Sequence, residues 1–340
     1  MKKVVAGAVI LPLLKAALIM RDAAGRDITY LRISVTDRCN LRCIYCQPAG
    51  VTPLQHDDIL RYEEIRRICR QALRLGINRF KITGGEPLVR RGIIPFIKEL
   101  KEMAGVDQVT LTTNGLSLGR DLHALEELGL DGLNISLDTR DAGQYAALTG
   151  YDGLAVVEDA IAAAAGGPIR TKVNAVLLAD TADQILPLAE LARDLPIDVR
   201  YIEVMPIGEG RHFAGPAGAA CLAVLRTVYD DLQPDTAWHG NGPAVYYRSR
   251  QLRGSIGFIA AQTHRFCGSC NRLRLTSTGF LKPCLCYDIG TDLRSLLRGG
   301  ASDEDLYKAM ASCLANKPAG HHFENQNEVT EHKKMSQIGG

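Results

Sequence analysis

From Tyr30 onward, the apolar and polar residues of this chain keep switching between two periods. "YLRISVT" (30–36) is a short β-rich run. "RYEEIRRICRQALRLG" (61–76) then places Ile65, Ile68, Cys69, Ala72 and Leu73 at helical intervals and stops at Gly76. The exchange repeats down the chain. "INRFKIT", "QVTLTTNG", "DGLNISLD", "IRTKVNAVLL" and "DVRYIEVMP" read as strands. "IIPFIKELKEM", "RDLHALEELG", "GLAVVEDAIAAAAGG" and "ADQILPLAELARDL" read as the helices between them. Six β-then-α steps predict an α/β fold with parallel strands and right-handed crossovers. Six are too few for a closed eight-fold barrel, so the expectation is an open, partial (β/α)6 TIM-like barrel.

After Pro206 the rhythm is lost. "GEGRHFAGPAG" is loop-like, "ACLAVLRTVYDDL" helical, and "AVYYRS" and "GSIGFIA" strand-like. The pattern divides the chain into an N-terminal extension (1–24), the partial barrel (25–206), a C-terminal module (207–326) and a polar tail (327–340). The extension "MKKVVAGAVILPLLKAALIM" has the lysines and apolar run of a signal peptide. Lys15 and Pro12 interrupt it, no clear cleavage site follows, and it is too short to span a bilayer. A start-site extension or a helix packed on the domain is the expectation, with no membrane partner.

Composition adds little until the cysteines. The 340 residues are 46% hydrophobic and 23% charged, with a formal net charge of +2. That charge gives no reason to expect nucleic acid, and any anionic ligand must be held by locally placed cations. Of the 10 cysteines, six fall in two tight groups: Cys39, Cys43 and Cys46, then Cys267, Cys270 and Cys284. That is ligand spacing, not a disulfide framework, and it points to a reducing cytoplasm.

The unusual residues sit where a parallel α/β fold binds ligands, at the C-terminal ends of strands. The array C-x3-C-x2-C follows the first strand, "GGEP" the second, "TTNG" the third, "SLD" the fourth and "MP" the sixth. Three thiolates on a [4Fe–4S] cluster leave one iron open, and an open metal position is a mark of chemistry.

This array, with Tyr45 before its last cysteine, resembles the signature of the radical S-adenosylmethionine enzymes. In that family the methionine amine and carboxylate chelate the open iron, and "GGEP" lies near the methionine group. One electron cleaves the sulfonium to a 5′-deoxyadenosyl radical, which abstracts hydrogen. The cofactor carries the hard chemistry, and the protein positions the target.

The second group, in "FCGSCNRLRLTSTGFLKPCLC", has a fourth cysteine at Cys286. Spacing alone leaves two readings open: three ligands with an open iron, or a closed Zn(Cys)4 ribbon. Beside it, Arg272 and Arg274 occupy alternate positions of a strand-like run and so share one face. Arginine forks suit phosphate. No P-loop is present, which argues against a nucleotide hydrolase of that type. His321 and His322, being adjacent, point apart and are read as structural.

Over about residues 25–340 the chain resembles the GTP 3′,8-cyclase family of molybdenum cofactor biosynthesis. "YLRISVTDRCNLRCIYC", "KITGGEP", "TTNG", "NISLD", "VRYIEVMPIG", "FCGSCNRLRLT", "KPAGHHF" and "MSQIGG" match in order. The resemblance implies two [4Fe–4S] clusters, the second on Cys267, Cys270 and Cys284 with Cys286 a bystander. It implies S-adenosylmethionine contacts at Tyr45, Gly85, Ser136 and Met205. It implies GTP contacts at Arg32, Lys81, Thr112, Lys172, Arg272, Leu273 and Arg274, and a functional tail end at Gly339 and Gly340. The implied reaction removes the ribose 3′ hydrogen and closes a ring onto carbon 8 of guanine. Implied partners are a flavodoxin- or ferredoxin-type electron donor, a downstream cyclic pyranopterin monophosphate synthase, and a second copy in a homodimer. Two rivals stand beside it: a radical enzyme acting on a peptide, and a non-catalytic scaffold with a zinc ribbon.

Overall fold

Each strand of the first six buries alternate residues on the core side and sends the others to the opposite face, as period-two runs must. The computed structural model describes residues 20–48 and 54–339. The strands are β1 (Tyr30–Ser34), β2 (Arg79–Thr83), β3 (Gln108–Thr113), β4 (Gly132–Ser136), β5 (Thr171–Leu177) and β6 (Asp198–Glu203). The crossovers carry α1 (Tyr62–Arg74), α2 (Ile93–Glu102), α3 (Leu118–Glu127), α4 (Ala142–Thr149), α5 (Leu154–Gly166) and α6 (Ile185–Asp194). In α1 the Glu64 carboxylate accepts from the Arg61 amide at 2.7 Å, which caps the first turn. Ile65, Ile68, Cys69 and Ala72 face the core, and Gly76, at φ +82°, ends the run.

The remaining elements are α7 (Gly218–Arg226), β7 (Gln233–Asp235), β8 (Val245–Arg248), β9 (Ile256–Ile259), β10 (Arg272–Leu275), β11 (Phe280–Lys282) and β12 (Thr291–Asp292). Three helices follow: α8 (Leu293–Arg298), α9 (Asp303–Ala315) and α10 (Met335–Ile338). All twelve strands form one sheet in the order β12-β11-β10-β1-β2-β3-β4-β5-β6-β9-β8-β7. β10 pairs parallel to β1, and β9 pairs parallel to β6. The parallel block therefore runs past the six expected strands on both sides. The antiparallel strands β11 and β12 cover one edge, and β8 and β7 the other.

One apolar core joins the two halves of the sequence. Leu306, Met310 and Leu314 of α9 share it with Ile33, Phe80 and Ile82 of the first strands. Each such side chain contributes about 1.5–3 kcal/mol when fully buried. A smaller cluster of Ile207, Ala261, Cys286, Phe323, Val329 and Ile338 lies under the end of the chain. No helix among the described residues is long and apolar enough to cross a membrane. Residues 1–19 of the N-terminal extension, and Gly340, lie outside the described residues.

Candidate active site

The loops after β1 to β6 and the start of β10 surround one cavity of about 320 Å³. Its wall contains all six predicted cysteine ligands, together with Tyr45, Gly85, Ser136 and Met205. Arg32, Thr112, Arg272 and Arg274 line it as well. Arg32, Thr112 and Arg272 also line a second cavity, where Lys81 and Lys172 join them. The two cavities are neighbours, with Arg32, Thr112 and Arg272 shared between their walls.

Cys39, Cys43 and Cys46 lie on a turn closed by the Cys46 amide donating to the Cys43 carbonyl at 3.0 Å. All three are free and half-buried. Burial, followed by Cys46 and Asp138, pushes the Cys43 thiol well up; burial, followed by Cys39, pushes Cys46 up to about 12. Cys43 and Cys46, whose ionisation neighbouring thiols oppose, fit a cationic metal cluster, which would relieve the repulsion. The Leu41 amide already donates to Cys39 Sγ at 3.4 Å.

The glycine pair after β2 serves this loop directly. A Cβ on Gly84 would lie 2.7 Å from the Thr36 carbonyl oxygen, and one on Gly85 would lie 2.7 Å from that of Asp37. The Gly85 amide donates to Thr36 at 2.6 Å and the Glu86 amide to Arg38 at 2.8 Å. Glycine is required here for close approach to the chain's own backbone. The Glu86 carboxylate turns inward and accepts from Leu88 N at 2.9 Å, Thr113 Oγ1 at 2.8 Å and Asn114 N at 2.7 Å. Burial pushes its carboxyl up to about 7 against those donors. It staples the "GGEP" turn to the "TTNG" turn. Tyr45 donates to Asp138 at 2.5 Å, and Asp138 accepts from the Val176 amide at 2.8 Å.

Cys267, Cys270 and Cys284 are half-buried, whereas Cys286 is fully buried in the small apolar cluster. Cys286 also borders the cavity. Burial raises the Cys270 thiol, but Lys317 and Arg272 outweigh it and hold the thiol below its ordinary value. Lys317 Nζ donates to the carbonyls of Arg272 at 2.9 Å and Pro283 at 2.6 Å. Arg26, paired with Asp22 at 2.6 Å, donates to Cys267 O at 2.8 Å, Ala319 O at 3.0 Å and Pro318 O at 2.7 Å. The segment around residue 22 thus holds the second cysteine loop.

Arg32, Arg272 and Arg274 line the cavity of the cysteines, and Lys81 and Arg200 the one beside it; among the described residues none of the five is paired with a carboxylate. Arg32 faces Arg274 across β1–β10 and Lys81 across β1–β2. Burial, then Arg272 and Arg200, pushes Arg32 down to about 10. Burial, then Arg32 and Arg272, pushes Arg274 down to about 9. Lys81 is driven well below its usual value by burial, then Arg200, Arg32, Lys172 and Arg272. Arg32 Nε, Arg200 Nε, Arg272 Nε and Arg274 Nη1 are buried donors with no acceptor. Buried donors without a protein acceptor are uncommon in folded proteins and are met by water, an ion or a ligand.

Two predicted contacts stand apart from this group. Leu273 is fully buried in the core, because alternation along β10 turns it away from the face of Arg272 and Arg274. Only its backbone could meet a ligand. Lys172 is engaged at 2.8 Å by both Asp198 and the Tyr246 hydroxyl. Gly339 reaches the mouth, where a Cβ would lie 3.2 Å from that of Ser34. His321 and His322 do point apart. His321 is buried and faces the cavity, whereas His322 sits 3.2 Å from Glu328 outside it.

Arg200 was assigned no role from sequence, and Glu86, Asp138 and Lys317 lay inside the flagged "GGEP", "SLD" and "KPAGHHF" without one. Arg200 had a signal, since it interrupts the apolar run "VRYIEV" in the register that faces away from the core. Lys317 had none that spacing could supply.

Residues 33–192 match the model of the Radical SAM superfamily, and residues 197–323 match that of Molybdenum Cofactor Synthesis C. Among curated relatives, the GTP 3′,8-cyclase of Moorella thermoacetica is 43% identical over 330 residues, covering 94% of this chain and 100% of that protein. The GTP 3′,8-cyclase of Clostridium perfringens is 39% identical over 323 residues, with the same coverages. Among solved structures, Streptococcus suis SuiB bound to S-adenosylmethionine superposes with a TM-score of 0.61 at 17% identity. That match covers 92% of this chain and 77% of SuiB, and it bears on the fold alone. Both cysteine triads thus line one cavity together with Arg32, Arg272 and Arg274, in keeping with the sequence relatives, and the chain belongs to the GTP 3′,8-cyclase family of radical S-adenosylmethionine enzymes.

Proposed function

We propose that this chain converts GTP to (8S)-3′,8-cyclo-7,8-dihydroguanosine 5′-triphosphate in molybdenum cofactor biosynthesis. The observation that carries this reading is the group Arg32, Lys81, Arg200, Arg272 and Arg274, mutually repelling cations gathered in the walls of the cysteine cavity and the one beside it. Among the described residues no carboxylate pairs with any of the five, and a triphosphate would supply the missing counter-charge.

Cys39, Cys43 and Cys46 would hold the [4Fe–4S] cluster that, with S-adenosylmethionine, supplies the radical. Tyr45, Gly85, Ser136 and Met205 would line the S-adenosylmethionine position. Arg32, Lys81 and Arg274 would hold the phosphates, with Arg272, Thr112 and Lys172 completing the pocket. Gly339 and Gly340 would close the mouth and keep water from a carbon radical. Cys267, Cys270 and Cys284 would carry a second [4Fe–4S] cluster facing the base. The burial of Cys286 in an apolar cluster supports its role as bystander. A flavodoxin or ferredoxin would supply the electron, and a cyclic pyranopterin monophosphate synthase would consume the product.

Anaerobic incubation with reductant, S-adenosylmethionine and GTP should give 5′-deoxyadenosine and a product of the same mass as GTP. Formation of 5′-deoxyadenosine without any conversion of GTP would refute the substrate while leaving the radical chemistry intact. Stoichiometric zinc in place of the second cluster would favour the ribbon.

A further inference from the structure

Lys282 and Glu331 form an ion pair in which both side chains are wholly excluded from solvent. Lys282 ends β11, immediately before Pro283 and Cys284. Its ammonium donates to Glu331 and to the Tyr287 carbonyl at 2.7 Å. Glu331 is also tied through its backbone, its amide donating to the Cys286 carbonyl at 3.1 Å. Its second carboxylate oxygen accepts from the Lys333 amide at 2.8 Å. Two partly exposed pairs follow, Lys333 with Asp288 at 2.9 Å and Lys334 with Glu209 at 3.1 Å. Exposed pairs of that kind hold little by themselves.

The chain then turns inward. Gly208, at φ +54°, gives it room, since a Cβ there would lie 2.9 Å from the Lys333 carbonyl oxygen and 3.0 Å from Lys334 Cα. Beyond this point Met335 borders the cavity, Ile338 is fully buried, and Gly339 lies against Ser34 and Thr83. A buried ion pair is a poor source of stability, because desolvation offsets its attraction and an apolar pair of equal volume does as well. What it supplies is direction: the ammonium and carboxylate must meet in one geometry.

We infer that Lys282 and Glu331 are a positioning pair that seats the C-terminal strap in the mouth and references it to the loop carrying Cys284. This rests on the reading that the strap takes part in the reaction.

The test uses the reconstituted full-length chain with Lys282→Met, Glu331→Gln, and the double variant K282M/E331M. Trypsin cleavage after Lys333 and Lys334 is followed by intact mass, alongside iron content, melting temperature, and kcat and KM for GTP. Each single variant should release the strap about tenfold faster and lose about tenfold in kcat, at unchanged iron and KM. The double variant should recover the melting temperature but neither strap protection nor kcat. A purely structural role would restore all three, and that outcome overturns the inference. Wild-type cleavage in the single variants, or iron falling in step with kcat, overturns it too. If deleting Gly339 and Gly340 leaves the rate intact, the strap's part in the reaction fails while the cleavage results stand.

Discussion

Arg32 on β1 and Arg274 on β10 are register partners on adjacent parallel strands, two guanidinium groups side by side in a buried cavity. Like charges placed so are destabilising. On the proposed reading the pair serves a phosphate ligand, and that yields opposite predictions for stability and for function.

Arg274→Met should raise the melting temperature of the nucleotide-free protein by relieving repulsion on Arg32. It should lower catalytic efficiency toward GTP by about ten- to hundredfold, the worth of about 1.5–3 kcal/mol in charge-assisted hydrogen bonds. Thermal unfolding and steady-state kinetics on one preparation check both halves. A variant that loses stability and keeps activity would place Arg274 outside the phosphate site.

GTP binding should take up protons. Burial pushes Lys172 from its usual 10.5 down to about 8 against the pull of Asp198, and Lys81 lies well below its usual value. A bound polyanion favours the charged forms, so the complex holds more protons than the free protein. Affinity then falls as pH rises above about 8, by about tenfold per unit for each proton involved. Without nucleotide the sign reverses. Between pH 8 and 10.5 unfolded Lys172 keeps a proton that the folded one has released, so stability rises with pH across that window. Calorimetry in buffers of different ionisation enthalpy measures the uptake directly.

Glu86→Ala should disable the first cysteine site from a distance. It leaves the Leu88 and Asn114 amides and the Thr113 hydroxyl without their acceptor. Such a loss costs about 2–4 kcal/mol. The loop of Cys39, Cys43 and Cys46 rests on the turn that Glu86 holds, through the Gly85 and Glu86 amides. Iron should fall to about half and 5′-deoxyadenosine formation should stop, with the second site still loaded.

Changing Cys267, Cys270 and Cys284 together to Ala should halve an iron content of about eight per chain. Cys286→Ala should leave iron unchanged and lower the melting temperature slightly, because it trims an apolar cluster. Iron analysis and Mössbauer spectra decide it.

Gly339→Ala should impair turnover without touching iron. Gly339 sits at φ +88°, and the added Cβ would meet Ser34 at 3.2 Å and Thr83 at 3.4 Å. The backbone strain alone is about 1–2 kcal/mol. A synthetic "MSQIGG" peptide should restore some activity to a chain lacking Gly339 and Gly340.

The periodic pattern by itself determined the six strands, the crossover helices other than the short α4, and the end of the sheet at which chemistry gathers. Periodicity is local, and residues 25–206 are built from local alternation. The cysteine spacings marked two candidate ligand loops for the same reason, and left the metal of the second one open. Tertiary structure decided the rest. That β10 lies beside β1, and β9 beside β6, depends on pairing between segments far apart in the chain, which no window of sequence encodes. Only that pairing sets Arg274 against Arg32 and turns Leu273 into the core. Lys317 and Arg26 became visible as supports of the second cysteine loop, and Lys282 as the partner of Glu331, once the fold had buried them. A charged residue looks like any other surface group in sequence, and burial, a property of the whole packed chain, is what gives it a function.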